Sequence, residues 1–363
     1  NSNAVSNFYA NPDLTPEIHK ELELGIEAKF LKNRVGVDVS LFTKDSEDLI
    51  IDLDLDNSTG YSSSTVNSAS INNKGVEAIL NVIPVQSRDF TWDVSASFSL
   101  LRSEVISIAD GIDQIYVGGY VGRGNIAIPG LPYGILEGEL IRRDYGSLDG
   151  TDHTQVHWDD RTGYTPIVNA NGGYQFLGYG VIGNPQPDYV YGVTNTLSYK
   201  WATLRVQFDS QVGGDVFSTT NSTLLGRGIL QETDFDRFVP VVTNGLSADG
   251  TPNTTQTTAN AHYWPNTGVF YDENSIYDAS VMRLREVSLS FVAPKSFLNG
   301  TPFGNASLTL SAQNIWHYAW NTPSGTNFDP EVISYGAGSN ARGFDEMTGP
   351  TAKKYGATLS LTF

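Results

Sequence analysis

Residues 21–42 read ELELGIEAKFLKNRVGVDVSLF, and the way this stretch folds decides the fold of the rest. Leu22, Leu24, Ile26, Ala28 and Phe30 alternate with Glu21, Glu23, Gly25, Glu27 and Lys29. Beyond a tight connection at Lys32 and Asn33, Val35, Val37, Val39 and Leu41 alternate with Gly36, Asp38 and Ser40. Strand side chains switch faces with a period of two, so each run has one apolar and one polar face. Two such runs joined by a short turn predict an antiparallel hairpin.

The pattern recurs along the chain. It is clear in TWDVSASFSL (91–100), WATLRVQFDS (201–210), ASLTLSAQN (306–314) and YGATLSLTF (355–363). It is weaker in KGVEAILNV (74–82), YGILEGELI (133–141), YVYGVTNTLSY (189–199) and REVSLSF (285–291). The expected class is therefore all-β, with about ten strands, each near the ~9–11 residues that cross a bilayer when tilted. In VMRLREVSLSF (281–291), Arg283 and Arg285 share parity with Val287, Leu289 and Phe291. Either a bulge resets the register there, or the arginines lie at the membrane interface. The connections are lopsided: short at 32–33, 84–89 and 199–201, long over 145–187, 213–280 and 316–350. That asymmetry suits a transmembrane barrel, whereas a compact soluble domain seldom holds loops beyond about 15 residues. Between 104 and 187 the strands do not count out to alternating directions. A secreted soluble sandwich would alternate as well, so pattern alone leaves both architectures open.

Composition narrows the partners. The 363 residues hold 22 Lys and Arg against 40 Asp and Glu, a net charge of −18 that excludes a nucleic-acid surface. Tyr (18) and Phe (17) far outnumber Met (2), a bias toward strands. No Cys is present, which removes disulfides and thiolate metal sites. No apolar run approaches the ~20 residues of a membrane-spanning helix.

Several short motifs, in order, carry a family resemblance. NPDLTPE (11–17) before the first hairpin, INNKGVEAIL (71–80), VIGNPQPDYVYGVTNTLSYKWATL (181–204), SIYDASVMRLREVSLSF (275–291), SAQNIW (311–316), FDPEV (328–332) and the final Phe363 resemble SusC-type TonB-dependent outer-membrane transporters of Bacteroidetes. The resemblance implies the C-terminal portion of a large antiparallel transmembrane β-barrel with long extracellular loops. The N-terminal plug, the TonB-contacting segment and the first barrel strands would lie outside this chain. The terminal strand would then close the barrel against its first strand, with Phe363 toward lipid. The implied function is import of a bulky nutrient, an oligosaccharide or peptide, with a SusD-like surface lipoprotein over the loops. No enzymatic activity and no cofactor are implied. Two further readings stay open: a secreted β protein that binds or cleaves glycans, and a purely structural barrel subunit.

Candidate site residues are few. Aromatic clusters fall where strands meet long loops: Tyr263, Trp264, Phe270 and Tyr271 in AHYWPNTGVFYDEN, and Trp316, Tyr318 and Trp320 in NIWHYAWN. Such rings serve either as an interfacial girdle or as a stacking platform for sugars or peptide side chains. Asp52, Asp54 and Asp56 suggest calcium, but Asn57 and Ser63 stand where a calcium loop needs Gly and Glu. His153 and His157 among Asp152, Asp159 and Asp160 lack the H-E-x-x-H pattern and read as a solvated loop. Arg227, Arg237 and Arg342 lie in the same long loops as the aromatics. The acids Glu21, Glu23, Glu27, Asp38, Asp93 and Asp209 all take the polar parity, which places them along a water-filled interior.

Overall fold

The computed structural model describes residues 7–120, 122–144, 158–161, 163–266, 271–323, 325–326, 328–331, 334, 341–349 and 351–363. His153, His157 and Phe270 lie outside the described residues. Nine strands form one continuous meander: β1 (Ile18–Phe30), β2 (Val35–Asp54), β3 (Ser63–Gln86), β4 (Phe90–Ser107), β5 (Tyr189–Tyr199), β6 (Ala202–Val212), β7 (Val281–Val292), β8 (Asn305–Tyr318) and β9 (Lys354–Thr362). Each pairs antiparallel with the next. The first hairpin turns at Leu31, Lys32 and Asn33, all in left-handed backbone conformation.

The pairing register carries one parity intact across the sheet. Ile26 faces Val39, Val39 faces Ala78, Ala78 faces Phe98 and Phe98 faces Tyr191. On this face large apolar side chains stand exposed: Leu24 is 67% and Ile26 72% accessible in β1, and Leu359 is 65% in β9. An apolar face of this extent turned outward from a strand meander is a lipid-facing surface. An amide within the apolar part of this face, Asn195, accepts a hydrogen bond from Trp92 Nε1 at 3.2 Å, which satisfies it locally. The opposite parity carries Glu27, Asp38, Ile79, Ser97, Gly192 and Asp209 in one row of partners, polar or small except for Ile79.

The strands exceed the expected bilayer span at their loop ends, where β2 runs for 20 residues and β3 for 24. There TKDSED and SINN pair without an apolar face. Ahead of β1, the Asn-Pro-Asp-Leu segment is tied to β3. Asn11 donates to the Thr65 carbonyl at 3.1 Å, and Asn67 both accepts from Thr15 N and donates to its carbonyl.

The segment between β4 and β5 corrects one expectation. Residues 133–141 are no barrel strand. Ile135–Ile141 belongs to a separate four-stranded sheet with Ile115–Tyr120, Arg123–Ala127 and Phe176–Gly183. Ile135, Leu136, Leu140 and Ile141 are all buried. With this sheet set apart, β4 pairs directly with β5 and the strand directions alternate throughout. A second small sheet joins Asp215–Ser218 to Ile276–Asp278 and Phe344–Asp345. Leu136, Leu140, Ile182, Phe217 and Phe344 pack the two into one core, so the long loops form a folded layer above the wall.

The Ile-Gly-Asn-Pro-x-Pro stretch fastens this layer to the wall. Asn184 N donates to Asp215 at 2.7 Å, and Gln186 Nε2 donates to the Tyr133 carbonyl at 2.9 Å. Arg102 of β4 donates to the Pro187 and Asp188 carbonyls.

Within the wall, Gly75 of β3 meets the Phe42 ring of β2. A Cβ there would lie 2.5 Å from the Leu100 carbonyl oxygen and 2.6 Å from Phe42 Cζ. Backbone cannot retreat as a side chain can, so Gly75→Ala should destabilise by about 1–3 kcal/mol through overpacking. Thermal unfolding of the detergent-solubilised protein measures this, and Gly36→Ala, whose Cβ has no atom closer than 3.9 Å, is the control.

Candidate functional site

The polar face of the sheet is concave and borders a cavity of about 650 Å³. Its wall takes residues from seven consecutive strands: Glu23 of β1, Asp38 and Ser40 of β2, Glu77 of β3, Ser97 and Ser99 of β4, Gly192 of β5, Gln207 and Asp209 of β6, and Arg283 of β7. The residues named come from the parity opposite the lipid face, as alternation arranges them, while Ala78, Phe98 and Tyr191 of the lipid-side row also border the cavity. A second pocket of about 400 Å³ shares Ser99 and Val190 with the first. It is walled by Tyr133, Gln186, Asn73 and Arg342. Burial pushes the Tyr133 phenol above its ordinary range.

The strongest chemistry at the cavity wall is ionic. Arg283 is buried and donates through Nη2 to Asp329 at 2.6 Å, while its Nη1 lies 3.5 Å from Asp209. Arg285 spends all five N–H groups: Nε and Nη2 on Asp209, Nη1 and Nη2 on Glu331, and Nη1 again on Asn314. Asp329 also accepts from Thr351 and from Glu331 N. A loop is thereby tied to two adjacent wall strands.

The backbone that permits this is a paired irregularity. Between Leu284 and Glu286 the register with β6 slips by one residue, and opposite it β8 carries an extra residue near Asn314, whose φ is 53°. Arg285 sits at this bulge, so the first of the two sequence alternatives holds. Below it Val287, Leu289 and Phe291 face lipid; above it Leu284 and Met282 do, and both arginines turn to the polar face.

In the loop layer, Asp272 is buried against Arg123, and Arg143 pairs with Glu273. Glu139 N and Ile141 N donate to those two carboxylates. Gly138 allows this approach, since a Cβ there would lie 2.6 Å from Asp272 Cβ.

A lipid-facing meander backing a polar cavity, with a folded loop layer above, has counterparts among known proteins. The family described as TonB dependent receptor-like, beta-barrel matches residues 1–209. This chain belongs to that family. TonB-dependent receptor P3 of Formosa agariphila is 26% identical over 383 residues, covering 98% of this chain and 35% of that protein. TonB-dependent receptor SusC of Bacteroides thetaiotaomicron is 22% identical over 281 residues, covering 74% of this chain and 25% of SusC. In fold, the RagAB peptide transporter aligns with a TM-score of 0.67 at 21% identity, over 97% of this chain and 36% of that one. The chain thus spans about a third of the length of the relatives it matches. As a TonB-dependent receptor barrel, it is an outer-membrane protein.

Six of the seven aromatic residues singled out in the sequence are described, and they separate in this barrel. Trp316, Tyr318 and Trp320 form one exposed column, with ring centroids 6.5 and 6.4 Å apart. Trp316 and Tyr318 pair with Leu284 and Met282 on the lipid-facing side. Tyr263 and Trp264 lie on the helix Ala259–Asn266; Tyr263 packs on His262 and Phe235, and Arg227 stands 4.4 Å over the Trp264 ring. Tyr271 packs on Tyr174 and donates to its carbonyl at 2.6 Å. Asp52 accepts from Thr65 and Asp56 from Ser58 N, while the Asp54 side chain lies outside the described residues. Among the described residues no group of three His, Cys, Asp or Glu is placed to hold a metal. The sequence signal that could have found the ionic cluster was the parity break at Arg283 and Arg285; Asp329 and Glu331 stood only in the family-like run FDPEV, with nothing to pair them with the arginines.

Burial works to raise the Asp329 carboxyl, but hydrogen bonds from Arg283 and Thr351 with the guanidinium charge outweigh it and hold the carboxyl below its usual range. Its contribution is present above the unfolded carboxylate pKa and is lost as pH falls through the lower folded value. Asp329→Ala removes the nearest partner of a buried guanidinium, which keeps Asp209 and Glu331 within 3.5 Å, and should cost about 1–3 kcal/mol. Thermal unfolding at neutral and acid pH checks this, with the difference between wild type and variant shrinking toward acid.

Proposed function

We propose that residues 1–363 form the C-terminal part of a TonB-dependent transporter barrel. The full-length protein imports a bulky nutrient, an oligosaccharide or a peptide, with a SusD-like surface lipoprotein over the loop layer. The observation that carries this reading is the cavity: a wet, acid-rich concave face backed by an exposed apolar face. Its support lies in the family match, in the SusC relative and in the likeness to a peptide transporter. Among the described residues β1 pairs only with β2 and β9 only with β8. Unpaired ladder groups in hydrocarbon cost several kcal/mol each, so further strands of the full-length protein would pair with both edges. A plug carrying the TonB contact would then fill the closed barrel.

Deleting the gene for the full-length protein, or its energising TonB, should abolish accumulation of a labelled peptide or oligosaccharide mixture. A surface lipoprotein should copurify in mild detergent. Undiminished uptake in both strains would overturn the transport reading.

Within this reading Trp316, Tyr318 and Trp320 sit at the headgroup boundary, where amphipathic rings are favoured. Tyr263, Trp264 and Tyr271, in the loop layer, are the aromatics left to meet cargo or lipoprotein. Replacing Trp316, Tyr318 and Trp320 by Leu should lower thermal stability in the membrane while uptake per inserted molecule stays unchanged. Lost uptake at unchanged insertion would instead put that column in contact with cargo.

A further inference from the structure

Parity sorts the Lys and Arg residues of the nine wall strands. Lys29, Lys44, Arg205, Arg283, Arg285 and Lys354 take the polar side. Lys20, Lys74 and Arg102 take the outward side, and all three lie on the loop side of the apolar band. The plug of the import reading lies across the wall from them and cannot cover this face. Leu24, Leu41, Val76 and Leu100 are partners in one outward row. Two residues further toward the loops, the next outward row is Leu22, Thr43, Lys74 and Arg102. Lys74 and Arg102 thus stand directly opposite each other where the apolar band ends, and both are exposed.

Like charges directly opposite each other weaken a strand pair, so these two call for a counter-ion. The chain supplies little of one, although it carries 40 acids against 22 Lys and Arg. Lys20 is matched by Glu47 at 2.6 Å. Arg102 holds Asp188 at 2.9 Å through Nη2 and backbone carbonyls through Nη1, which leaves its Nε–H without a bond among the described residues. Lys74 has neither a hydrogen bond nor an ion pair among them. The acids one row further up, Asp45 and Glu104, flank Asn72. Asp45 accepts from the Asn72 amide at 2.6 Å, and neither acid pairs with Lys74.

We infer that Lys74 and Arg102 seat the phosphate of a phosphorylated lipid in the outer leaflet, whose acyl chains lie along Leu24, Leu41, Val76 and Leu100. Long loops mark the external side of such a barrel, so this row meets the headgroups of that leaflet. Ammonium and guanidinium N–H groups both donate charge-assisted hydrogen bonds to phosphate oxygens. The two parts of the lipid match two adjacent rows, the anionic head on the cations and the chains on the aliphatic side chains. A free phosphate uses only the upper row.

This inference needs the outer-membrane placement but not import, so its test stands apart from uptake. Native mass spectrometry of the detergent-purified full-length protein checks it, with three probes. These are monophosphoryl lipid A, the same lipid without its phosphate, and inorganic phosphate. The wild type should retain the phosphorylated lipid over its phosphate-free form. Lys74→Gln breaks no bond among the described residues and should lower that retention about fivefold, the weight of one cation at an anionic surface. It should leave the phosphate-free lipid unchanged. Lys44→Gln removes the same charge at the same height from the opposite face, since Lys44 pairs with Asn73, and should change neither. Equal losses in the two variants, no loss in Lys74→Gln, or no preference in the wild type would overturn the seat. Inorganic phosphate that displaces the lipid at equal concentration would overturn the lipid assignment in favour of a soluble anion.

Discussion

A strand in hydrocarbon has no water to satisfy its backbone, so every N–H and C=O must be met by a neighbouring strand. The rest of this structure follows from that constraint. It makes the wall an unbroken meander, because a crossover would carry unpaired backbone through lipid. It fixes register as well: a one-residue slip anywhere would turn a whole lipid-facing row into the lumen. Ile26, Val39, Ala78, Phe98 and Tyr191 come from five different strands and stay on one face. The polar cavity is the other half of the same pattern and needs no separate design. Asp38 and Asp209 reach it because Val37, Val39, Val206 and Phe208 reach lipid.

Above the membrane the constraint lapses and a different one replaces it. The loop layer has too little apolar surface for a large core, and its clusters are small: Leu136, Leu140, Ile182, Phe217 and Phe344 in one, Ile126, Ile135 and Val181 in another. Buried ion pairs link what those clusters cannot. Arg123 with Asp272 and Arg143 with Glu273 each join residues more than a hundred positions apart. Such pairs add little net stability over an apolar core, but breaking one strands a buried charge. They serve better to specify which loop lies on which strand than to stabilise the layer.

The legibility of the sequence follows the same division. Where lipid lies on one side and water on the other, alternation is enforced residue by residue, and the hairpin at 21–42 or the run at 355–363 reads directly as strand. In TKDSED of β2 both faces are polar, the parity disappears, and the strand continues unannounced. Ile135–Ile141 failed in the opposite sense: it is a strand buried along nearly its whole length in a separate sheet, which looks like a barrel strand until its partners are known. The aromatic residues were legible as boundary residues but not by direction, since a single bulge near Asn314 decides that Trp316 and Tyr318 point outward. Asp329 and Glu331 were visible only as part of the family-like run FDPEV, without any sign of what they pair with. Their role exists only through Arg283 and Arg285, 46 residues earlier in the chain.

That bulge joins the two regimes. Val287, Leu289 and Phe291 commit β7 to odd residues on the lipid side, and strict alternation would carry Arg285 and Arg283 out with them. An arginine in the lipid band costs up to about 2–4 kcal/mol at mid-depth, less toward the interface. One extra residue reverses the parity, seats Leu284 and Met282 in their place, and delivers both guanidiniums to the cavity. The matching irregularity in β8 brings the Asn314 amide within 3.3 Å of Arg285, filling the donor that neither carboxylate takes. The two motifs RLR and QNIW, remote in sequence, are therefore one device. It keeps the lipid face apolar across a change of phase while placing fixed positive charge where the wall meets the loops.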